Sequence, residues 1–147
     1  MPASQTFIDV VTKGMNVVHK SVLKVSGGRL GWDMGGMAAV ELHTTGQRSG
    51  QRRSVMLTAP ILDADHIVLI ASKGGDDRHP DWYHNLVADP KVENTRHGET
   101  TKMVARTASV EEKAELWPTI VAAYKGYAGY QKRTERDIPV VICRPLS

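Results

Sequence analysis

The stretch LHTTGQRSGQRRSV gathers three arginines on one short turn between two apolar runs. Arg48, Arg52 and Arg53 repel one another there unless an anion or acidic side chains lie between them. A guanidinium binds phosphate or carboxylate oxygens through two parallel hydrogen bonds, and Gly46 and Gly50 let the backbone approach a ligand closely. The pattern therefore indicates an anion-binding turn. A solvated basic hairpin tip is the alternative, because a tight turn also requires glycines.

A second group of residues that could bind a ligand follows in ASKGGDDRHPDWYHN. Lys73 ends an apolar run, two glycines follow it, and Pro80 opens a helix whose free N–H groups attract anions. Trp82 and Asn85 lie one turn apart on this helix. An indole face and a side-chain amide together suit a planar heterocycle. Core packing is the alternative for Trp82, because a buried tryptophan beside a capping asparagine has the same sequence.

These two groups must be positioned by the elements that flank them. Alternating apolar residues predict strands over 37–44 and 53–60, which form a hairpin around the arginines. The run HIVLIAS predicts a strand buried on both faces, or at the sheet centre, directly before Lys73. Two more strands are predicted on either side of RHGET, and IPVVIC is predicted to close the chain as a strand.

Helices are predicted at three places. Apolar residues at helical spacing predict a first helix from about 7 to 25. A short helix is expected to begin at Pro80. Ser109 and Glu112 have the spacing of a capping box for a late helix, which Pro118 is expected to kink or break.

The fold class follows from the number and the connections of these elements. Six strands joined mostly by short connections, with packed helices, predict an α+β fold in which a mainly antiparallel sheet curls towards a barrel. The 147 residues, of which 41% are hydrophobic, contain no repeat or linker. We therefore expect a single domain over 1–147.

Composition excludes several classes of function. A single cysteine, Cys143, rules out an intrachain disulfide and a thiolate zinc site, and it is predicted to be a small buried hydrophobe. His79 and His84 lack the i, i+4 spacing of a helical metal pair, so no metal site is expected. A net charge of +3 favours a local anion site over a general nucleic-acid surface. No run approaches the roughly 20 apolar residues of a membrane span, and we expect a cytoplasmic protein.

Three ordered motifs carry a resemblance to a known family. The stretches that carry the resemblance are TTGQRSGQRRSV, VLIASKGGDDRHPDWYHNLVADPKV and ARTASVEEKAELWPTIVAAYKGYAGYQKRTERDIPVVIC. The chain from about Arg29 to Pro145 resembles the deazaflavin-dependent nitroreductase family. The resemblance implies a split β-barrel related to that of flavin-binding pyridoxamine-phosphate oxidases. It also implies the reduced deazaflavin coenzyme F420 as cofactor, which gives a hydride from its C5 carbon to an acceptor. The acceptors that it implies are quinones and activated enones, with nitro compounds as a further class.

The resemblance assigns cofactor-binding roles position by position. Arg48 and Arg53 match residues that hold the phosphate and polyglutamate tail of the coenzyme. Ala71, Ser72 and Lys73 match the strand end that meets the deazaflavin ring and its phosphate side.

The same resemblance assigns residues of the two later motifs. Trp82 and Asn85 match residues that lie against the coenzyme. Tyr124, Tyr127 and Tyr130 match tyrosines that line the substrate pocket of the nitroimidazole-reducing member. A tyrosine hydroxyl there could donate a hydrogen bond or a proton to the acceptor. The alternative is that these tyrosines anchor a glycine-containing loop.

The sequence departs from the family pattern at two positions. Gln47 stands where the family usually has a second positive residue beside Arg48, which predicts slightly weaker binding of the tail. Ala59 stands where the nitroimidazole-reducing member has a tyrosine, which puts nitroimidazole reduction in doubt.

Other functions and partners fit parts of the sequence. An oxidoreductase that binds flavin mononucleotide (FMN) on the same barrel is the nearer alternative. A nucleic-acid-binding module is the more distant one, because the chain has a single phenylalanine and no aromatic, basic strand platform. Lys13, Lys20 and Lys24 could place the first helix on an anionic membrane, with packing on the barrel as the alternative. The sequence leaves the oligomeric state undecided.

Overall fold

The fold is built on one antiparallel sheet. A computed structural model describes residues 33–34, 37–63 and 65–146. The strands within these residues are β1 (Asp33–Met34), β2 (Met37–Thr45), β3 (Arg52–Ala59), β4 (Ile61–Leu62), β5 (Ile67–Ile70), β6 (Lys91–Arg96), β7 (Glu99–Thr107) and β8 (Val140–Pro145). Their order is β1-β2-β6-β7-β8-β5-β4, and β3 pairs with β2 outside this path. Because β3 also contacts β5, the sheet curls into a half-barrel, which confirms the predicted fold class.

The predicted hairpin around the arginines is confirmed. β2 and β3 pair from Ala38 opposite Ala59 to Thr45 opposite Arg52. The connection between the two strands is therefore residues 46–51. A two-strand ladder of this length fixes where the connection emerges from the barrel.

The strand predicted before Lys73 is confirmed as β5. It pairs with β4 on one side and with β8 on the other. Leu69 belongs to one buried apolar cluster, and its neighbours Val68 and Ile70 belong to a second. Because successive strand residues point to opposite faces, β5 is buried on both faces, which explains its continuous apolar run.

The remaining predicted strands are also present. β6 and β7 flank RHGET, and the left-handed φ values of His97 and Gly98, 51° and 79°, suit the tight two-residue turn between them. β8 is the last strand of the chain, lies between β7 and β5 in the sheet, and holds Cys143, which is buried as predicted. The two-residue strands β1 and β4 were not among the six predicted, because they are too short to show alternation.

Three α-helices pack on the sheet within the described residues. They are α1 (Asp81–Ala88), α2 (Val110–Ala123) and α3 (Gly126–Arg133). The capping box of α2 is confirmed: Ser109 Oγ accepts from the Glu112 N–H at 3.2 Å, and Glu112 Oε1 accepts from the Ser109 N–H at 3.0 Å. A break at Pro118 is not seen, since α2 continues through this residue. The proline removes one N–H donor, and Ala114, whose carbonyl loses that donor, is exposed to water.

Helix α3 was not predicted, because glycines in YKGYAGY indicated a loop. Gly126 begins the helix, and a Cβ atom there would lie 2.3 Å from the ring of Tyr124. Glycine is therefore needed for the Tyr124 ring to lie against the first turn.

Some predictions concern residues that lie outside the described part of the chain. The helix predicted over 7–25 is one of them, and the single-domain boundary 1–147 depends on the same residues. Among the helices of the described residues, none is long and apolar enough to cross a membrane.

Candidate functional site

The arginine turn, defined here as residues 46–53, is held by its own backbone. The Gly46 N–H donates to the Gln51 carbonyl at 2.8 Å, and the Gly50 N–H donates to the Gly46 carbonyl at 2.8 Å. Gly50 has a φ of 68°, which glycine adopts without strain. A Cβ atom on Gly46 would lie 2.5 Å from Ser49 Oγ. The turn itself thus favours glycine at position 50, whatever approaches it, and a side chain at position 46 would displace the Ser49 hydroxyl.

The three arginines of this turn differ in their partners. Arg52 forms an ion pair with Glu93 of β6. Arg53 Nη2 donates only a long hydrogen bond, 3.4 Å, to Ser49 Oγ. Arg48 is exposed. The repulsion expected from the sequence is therefore relieved by an acidic side chain at one arginine, while Arg48 and Arg53 face solvent with their charges available to an anion.

Asn85 connects the arginine turn to helix α1. Its Oδ1 accepts from the Gln47 N–H at 3.0 Å, and its Nδ2 donates to Thr44 Oγ1 at 3.2 Å. The residue is only 7% exposed. Its amide is thus committed to the protein on both sides, and it positions the turn that carries Arg48.

Trp82, on the same helix, lies in the interior. It is 8% exposed and belongs to the apolar cluster that contains Leu42, Leu69 and Leu86. This is the core-packing arrangement that the sequence left open as an alternative. A ring so placed supports the wall of a site and has little free face for stacking.

The strand-end segment, defined here as residues 71–79, follows β5 and turns sharply. Lys73, Gly74 and Gly75 have φ values of 46°, 64° and 85°. Three successive residues in the left-handed region are uncommon, and for Lys73 the conformation is strained. Ala71 and Ser72, the other two residues predicted to bind the cofactor here, are buried at the start of this turn.

A buried carboxylate stabilises the strand-end segment. Asp76 accepts from the Arg78 N–H at 2.9 Å and from Arg78 Nη2 at 2.8 Å, and Lys73 Nζ lies 3.9 Å from its Oδ2. Burial by itself would raise the pKa of Asp76, but the hydrogen bonds and charge of Arg78, with the charge of Lys73, hold it below its usual value. Asp76 is therefore ionised and fixes both cations near the turn.

Arg136 was not singled out from the sequence, yet it forms several hydrogen bonds with the strand-end segment. It lies just before β8, and its guanidinium donates to three backbone carbonyls of the segment and to a histidine ring. No motif marks it, because an arginine before a buried strand has no characteristic pattern. Only the pairing of β5 with β8 brings residues 57 to 65 positions apart into contact.

The three predicted acceptor-pocket tyrosines form one group, the tyrosine cluster of Tyr124, Tyr127 and Tyr130. Their ring centroids are 5.2 to 6.2 Å apart. The Tyr124 and Tyr130 hydroxyls are 3.3 Å apart, whereas the Tyr127 hydroxyl is 3.1 Å from Thr58 Oγ1. Tyr127 is buried and Tyr124 is 41% exposed. The cluster therefore has one buried tyrosine, Tyr127, and a solvent-facing pair of hydroxyls, those of Tyr124 and Tyr130.

Burial changes the acidity of the cluster. It raises the pKa of Tyr130 to about 12, with a further contribution from the hydrogen bond to Tyr124, and it raises the pKa of Tyr127 as well. Both hydroxyls are consequently protonated at neutral pH and can act as donors.

Helix α3 brings the tyrosine cluster onto the strand-end segment. A Cβ atom on Gly75 would lie 3.0 Å from the Arg133 side chain and 3.1 Å from the Tyr130 carbonyl oxygen. Arg133 Nη1 also donates to the Gly74 carbonyl at 3.3 Å. The backbone of Tyr130, one of the predicted acceptor residues, thus lies against the strand-end segment, although the two are far apart in the sequence.

A cavity and the single cysteine lie outside the groups described so far. A cavity of about 320 Å³ opens between β4, β5 and the β6–β7 hairpin, and no predicted site residue lines it. Among the described residues no group of histidine, cysteine and acidic side chains could hold a metal ion. Burial raises the pKa of the Cys143 thiol to about 12, so this cysteine is a poor nucleophile.

This chain is similar to known proteins both in sequence and in structure. A family model described as F420H(2)-dependent quinone reductase matches residues 16–145. An F420H(2)-dependent quinone reductase of Mycobacterium tuberculosis is 39% identical over 131 residues, which are 85% of this chain and 86% of that protein. A putative F420H(2)-dependent quinone reductase of Mycobacterium bovis has the same identity and coverage.

Solved structures with the same fold are similarly close. The structure of an F420-H2 dependent reductase, FDR-A, superposes with a TM-score of 0.65 at 38% identity and covers 72% of this chain and 93% of its own. A structure described as a domain-swapped dimer superposes with a TM-score of 0.69 at 33% identity and covers 87% of this chain and 96% of its own.

Proposed function

Because this chain belongs to the F420H(2)-dependent quinone reductase family, we propose that it reduces a quinone with a hydride from the reduced deazaflavin coenzyme F420. The observation that carries the proposal is the contact of helix α3 with the strand-end segment. It puts the backbone of Tyr130, at one end of the tyrosine cluster, against Gly75, two residues after Lys73. A hydride donor bound at the strand-end segment and an acceptor bound at the tyrosine cluster would therefore be adjacent.

The chemistry of the side chains fits the coenzyme. Its tail carries a phosphate and carboxylates, and Arg48 and Arg53 present exposed guanidiniums that no acidic residue neutralises among the described residues. Arg52, which is paired with Glu93, is not needed for this role. Lys73, Ser72 and the backbone around them would hold the ring and its phosphate side.

Each remaining group of the site has a role in this proposal. When bound, the reduced deazaflavin supplies the hydride. Asn85 holds the arginine turn in place, and Trp82 supports the site from the core. The strand-end segment and α3 fix the distance between donor and acceptor, which is the main contribution a protein makes to hydride transfer.

The tyrosine cluster supplies the proton that quinone reduction requires. Hydride addition leaves negative charge on a quinone oxygen, and a hydroxyl donor placed there stabilises that charge and then protonates it. One hydroxyl of the Tyr124–Tyr130 pair donates to the other, so one hydrogen is left for the acceptor. Tyr127, whose hydroxyl lies against Thr58, anchors the pair from below.

The acceptor class is open to a direct assay. Ala59 is buried opposite Ala38, so no side chain at this position provides the tyrosine of the nitroimidazole-reducing member. We expect quinones and activated enones to be reduced faster than nitroimidazoles. Steady-state rates in which a nitro compound is the best acceptor would contradict this expectation.

The function is tested by binding and by turnover together. Purified protein should bind coenzyme F420 in preference to FMN and to an oligonucleotide. Tyr124→Phe combined with Tyr130→Phe should leave coenzyme affinity within about twofold, while quinone turnover falls by about tenfold or more, since general acid catalysis typically contributes at least that much. Tyr83→Phe is the matched control, because its hydroxyl pairs with Thr107 outside the cluster. Tight FMN binding without F420 binding would replace the proposal with the flavin alternative.

Partners beyond the coenzyme and the acceptor belong to the same proposal. We place the protein in the cytoplasm. We further propose that Lys13, Lys20 and Lys24 contact an anionic membrane surface. Flotation with anionic and with neutral vesicles tests it. Binding to neither kind of vesicle would remove the membrane from the proposal.

A further inference from the structure

We propose that Arg136 is a positioning residue of the coenzyme site, which holds the strand-end segment in its binding conformation and fixes the tautomer of His79. The effect of Arg136 on coenzyme binding rests on the proposed function. The structural part of the proposal, the control of the segment and of His79, can be tested without the coenzyme.

Arg136 holds both ends of the turn that contains Lys73. Its Nη2 donates to the Ala71 carbonyl at 3.1 Å and to the Ser72 carbonyl at 2.9 Å, and its Nε donates to the Asp76 carbonyl at 2.8 Å. A single planar group therefore satisfies carbonyls before and after the three left-handed residues. Because its donors have a rigid geometry, the guanidinium fixes the spacing of these carbonyls, which a lysine ammonium would not.

The turn needs such an external constraint. Left-handed φ at a residue other than glycine persists only where the surroundings enforce it, and Lys73 has a φ of 46°. Within the segment only two backbone hydrogen bonds close the turn, from Gly75 to Ser72 and from Asp76 to Lys73. The bonds from Arg136 therefore hold Lys73 in the orientation in which its ammonium stays beside Asp76.

The contact with His79 has a second consequence. Arg136 Nη1 lies 2.9 Å from His79 Nδ1, and a guanidinium can only donate. The Nδ1 atom must accept, so the ring hydrogen is on Nε2. Burial first, and then the charges of Arg136 and His84, lower the pKa of His79, which keeps the ring neutral. His79 is therefore a neutral ring with a single N–H donor at the end of the segment, directly before α1.

The segment that carries Arg136 is itself fixed. Gln131 Nε2 donates to the Arg136 carbonyl at 2.8 Å, and Gln131 Oε1 accepts from the Ile138 N–H at 3.0 Å. Thr134 Oγ1 donates to Asp77 Oδ1 at 2.7 Å, which forms a second connection to the strand-end segment. Arg136 thus fixes the predicted ring-binding residues relative to α3 and β8.

The experiment compares Arg136→Met and Arg136→Lys with Arg106→Met. Arg106 is the control because its guanidinium is also held by hydrogen bonds, here two to Glu112, outside the strand-end segment. Coenzyme dissociation constants, thermal unfolding and the ring ¹⁵N shifts of His79 are measured for each folded variant. Binding is then repeated with millimolar guanidinium in the buffer.

We expect Arg136→Met to raise the dissociation constant by at least about tenfold, Arg136→Lys to recover little of it, and Arg106→Met to leave it unchanged. Free guanidinium should restore part of the affinity of Arg136→Met alone, which a general loss of stability would not produce. The ¹⁵N shifts should show the Nε2–H tautomer of His79 in the wild type and a mixture in Arg136→Met.

Each contrary result has a separate meaning. Normal coenzyme binding by folded Arg136→Met would overturn the positioning role and leave the proposed function intact. Failure of the wild type to bind the coenzyme would overturn the proposed function and, with it, the role in binding. An unchanged His79 tautomer in Arg136→Met would overturn the structural part whatever the protein binds.

Discussion

At the scale of single residues, the arginine turn contains one arginine paired with an acidic side chain and two that are not. Arg52 is paired with Glu93, and the side-chain hydrogen bond from Arg52 lowers the pKa of that carboxyl. Arg48 and Arg53 have no such acidic partner among the described residues. Three arginines that look equivalent in the sequence therefore differ: Arg52 is paired within the protein, whereas Arg48 and Arg53 are proposed to bind the coenzyme.

The first prediction separates these roles. Arg48→Gln combined with Arg53→Gln should weaken coenzyme binding by tenfold or more, because each lost charge-assisted hydrogen bond contributes about 1.5–3 kcal/mol. Turnover at saturating coenzyme should change little, since the hydride leaves from the other end of the molecule. Arg52→Gln, the matched control, should bind normally. Equal losses in Arg52→Gln and in the double variant would return the turn to a structural role.

At the scale of elements, helix α1 connects the two halves of the site. It begins directly after the strand-end segment, and Asn85 on its inner face holds the Gln47 N–H of the arginine turn. One short helix thus sets the spacing between the residues proposed for the ring and those proposed for the tail.

The second prediction concerns this connection. Asn85→Ala leaves the Gln47 N–H without its acceptor, which should lower the free energy of unfolding by about 1–3 kcal/mol and weaken coenzyme binding through the turn. Thr44→Val removes the other partner of Asn85 but keeps the bond to Gln47. It should bind the coenzyme as the wild type does. If both variants lost stability but neither lost affinity, α1 would have no role in placing the tail site.

The third prediction concerns the N-terminus of α2, where stability should depend on pH. The side-chain hydrogen bond from Arg106 and the backbone hydrogen bond from Ser109 lower the pKa of Glu112 to about 2, from 4.5. Because the folded-state pKa is depressed, the stabilisation is present above pH 4.5 and is lost as the pH falls towards 2. Urea unfolding across this range should show a decline that Glu112→Gln lacks. Glu111→Gln, one residue away and outside the capping box, should decline like the wild type.

At the scale of the whole molecule, the net charge of +3 is small, so an attraction for a polyanionic coenzyme must come from where the charges lie. The double variant of Arg48 and Arg53 has a net charge of +1, from +3 less two. A second variant with the same net charge, Lys132→Gln combined with Arg144→Gln, changes exposed residues of α3 and β8 instead.

The fourth prediction uses this matched pair. Coenzyme affinity of the wild type should fall as ionic strength rises, because exposed charges are screened beyond about 10 Å at 0.1 M salt. The Arg48 and Arg53 variant should show a much flatter dependence, whereas the Lys132 and Arg144 variant should resemble the wild type. Similar slopes for both variants would mean that overall charge, and not the arginine turn, attracts the coenzyme.

The sequence by itself determined six of the eight strands of the described residues and the start of α2, and it indicated most of the residues proposed for the site. Alternation located β2 and β3 around the arginines, the continuous apolar run located β5, and Ser109 with Glu112 located the start of α2. These signals are local, because hydrogen bonds and burial patterns repeat within a few residues. The family resemblance, which depends on ordered motifs, is confirmed by the family model over residues 16–145.

Only the tertiary structure decided which side chains act together. The pairing of β5 with β8 brings Arg136 onto the strand-end segment, and the packing of α3 places the tyrosine cluster beside Gly75. Arg52 differs from its neighbours because Glu93 of β6, which also pairs with β2, lies close enough to form an ion pair with it. Such contacts join residues about 40 to 65 positions apart. No local pattern encodes them, since they depend on how the whole sheet closes.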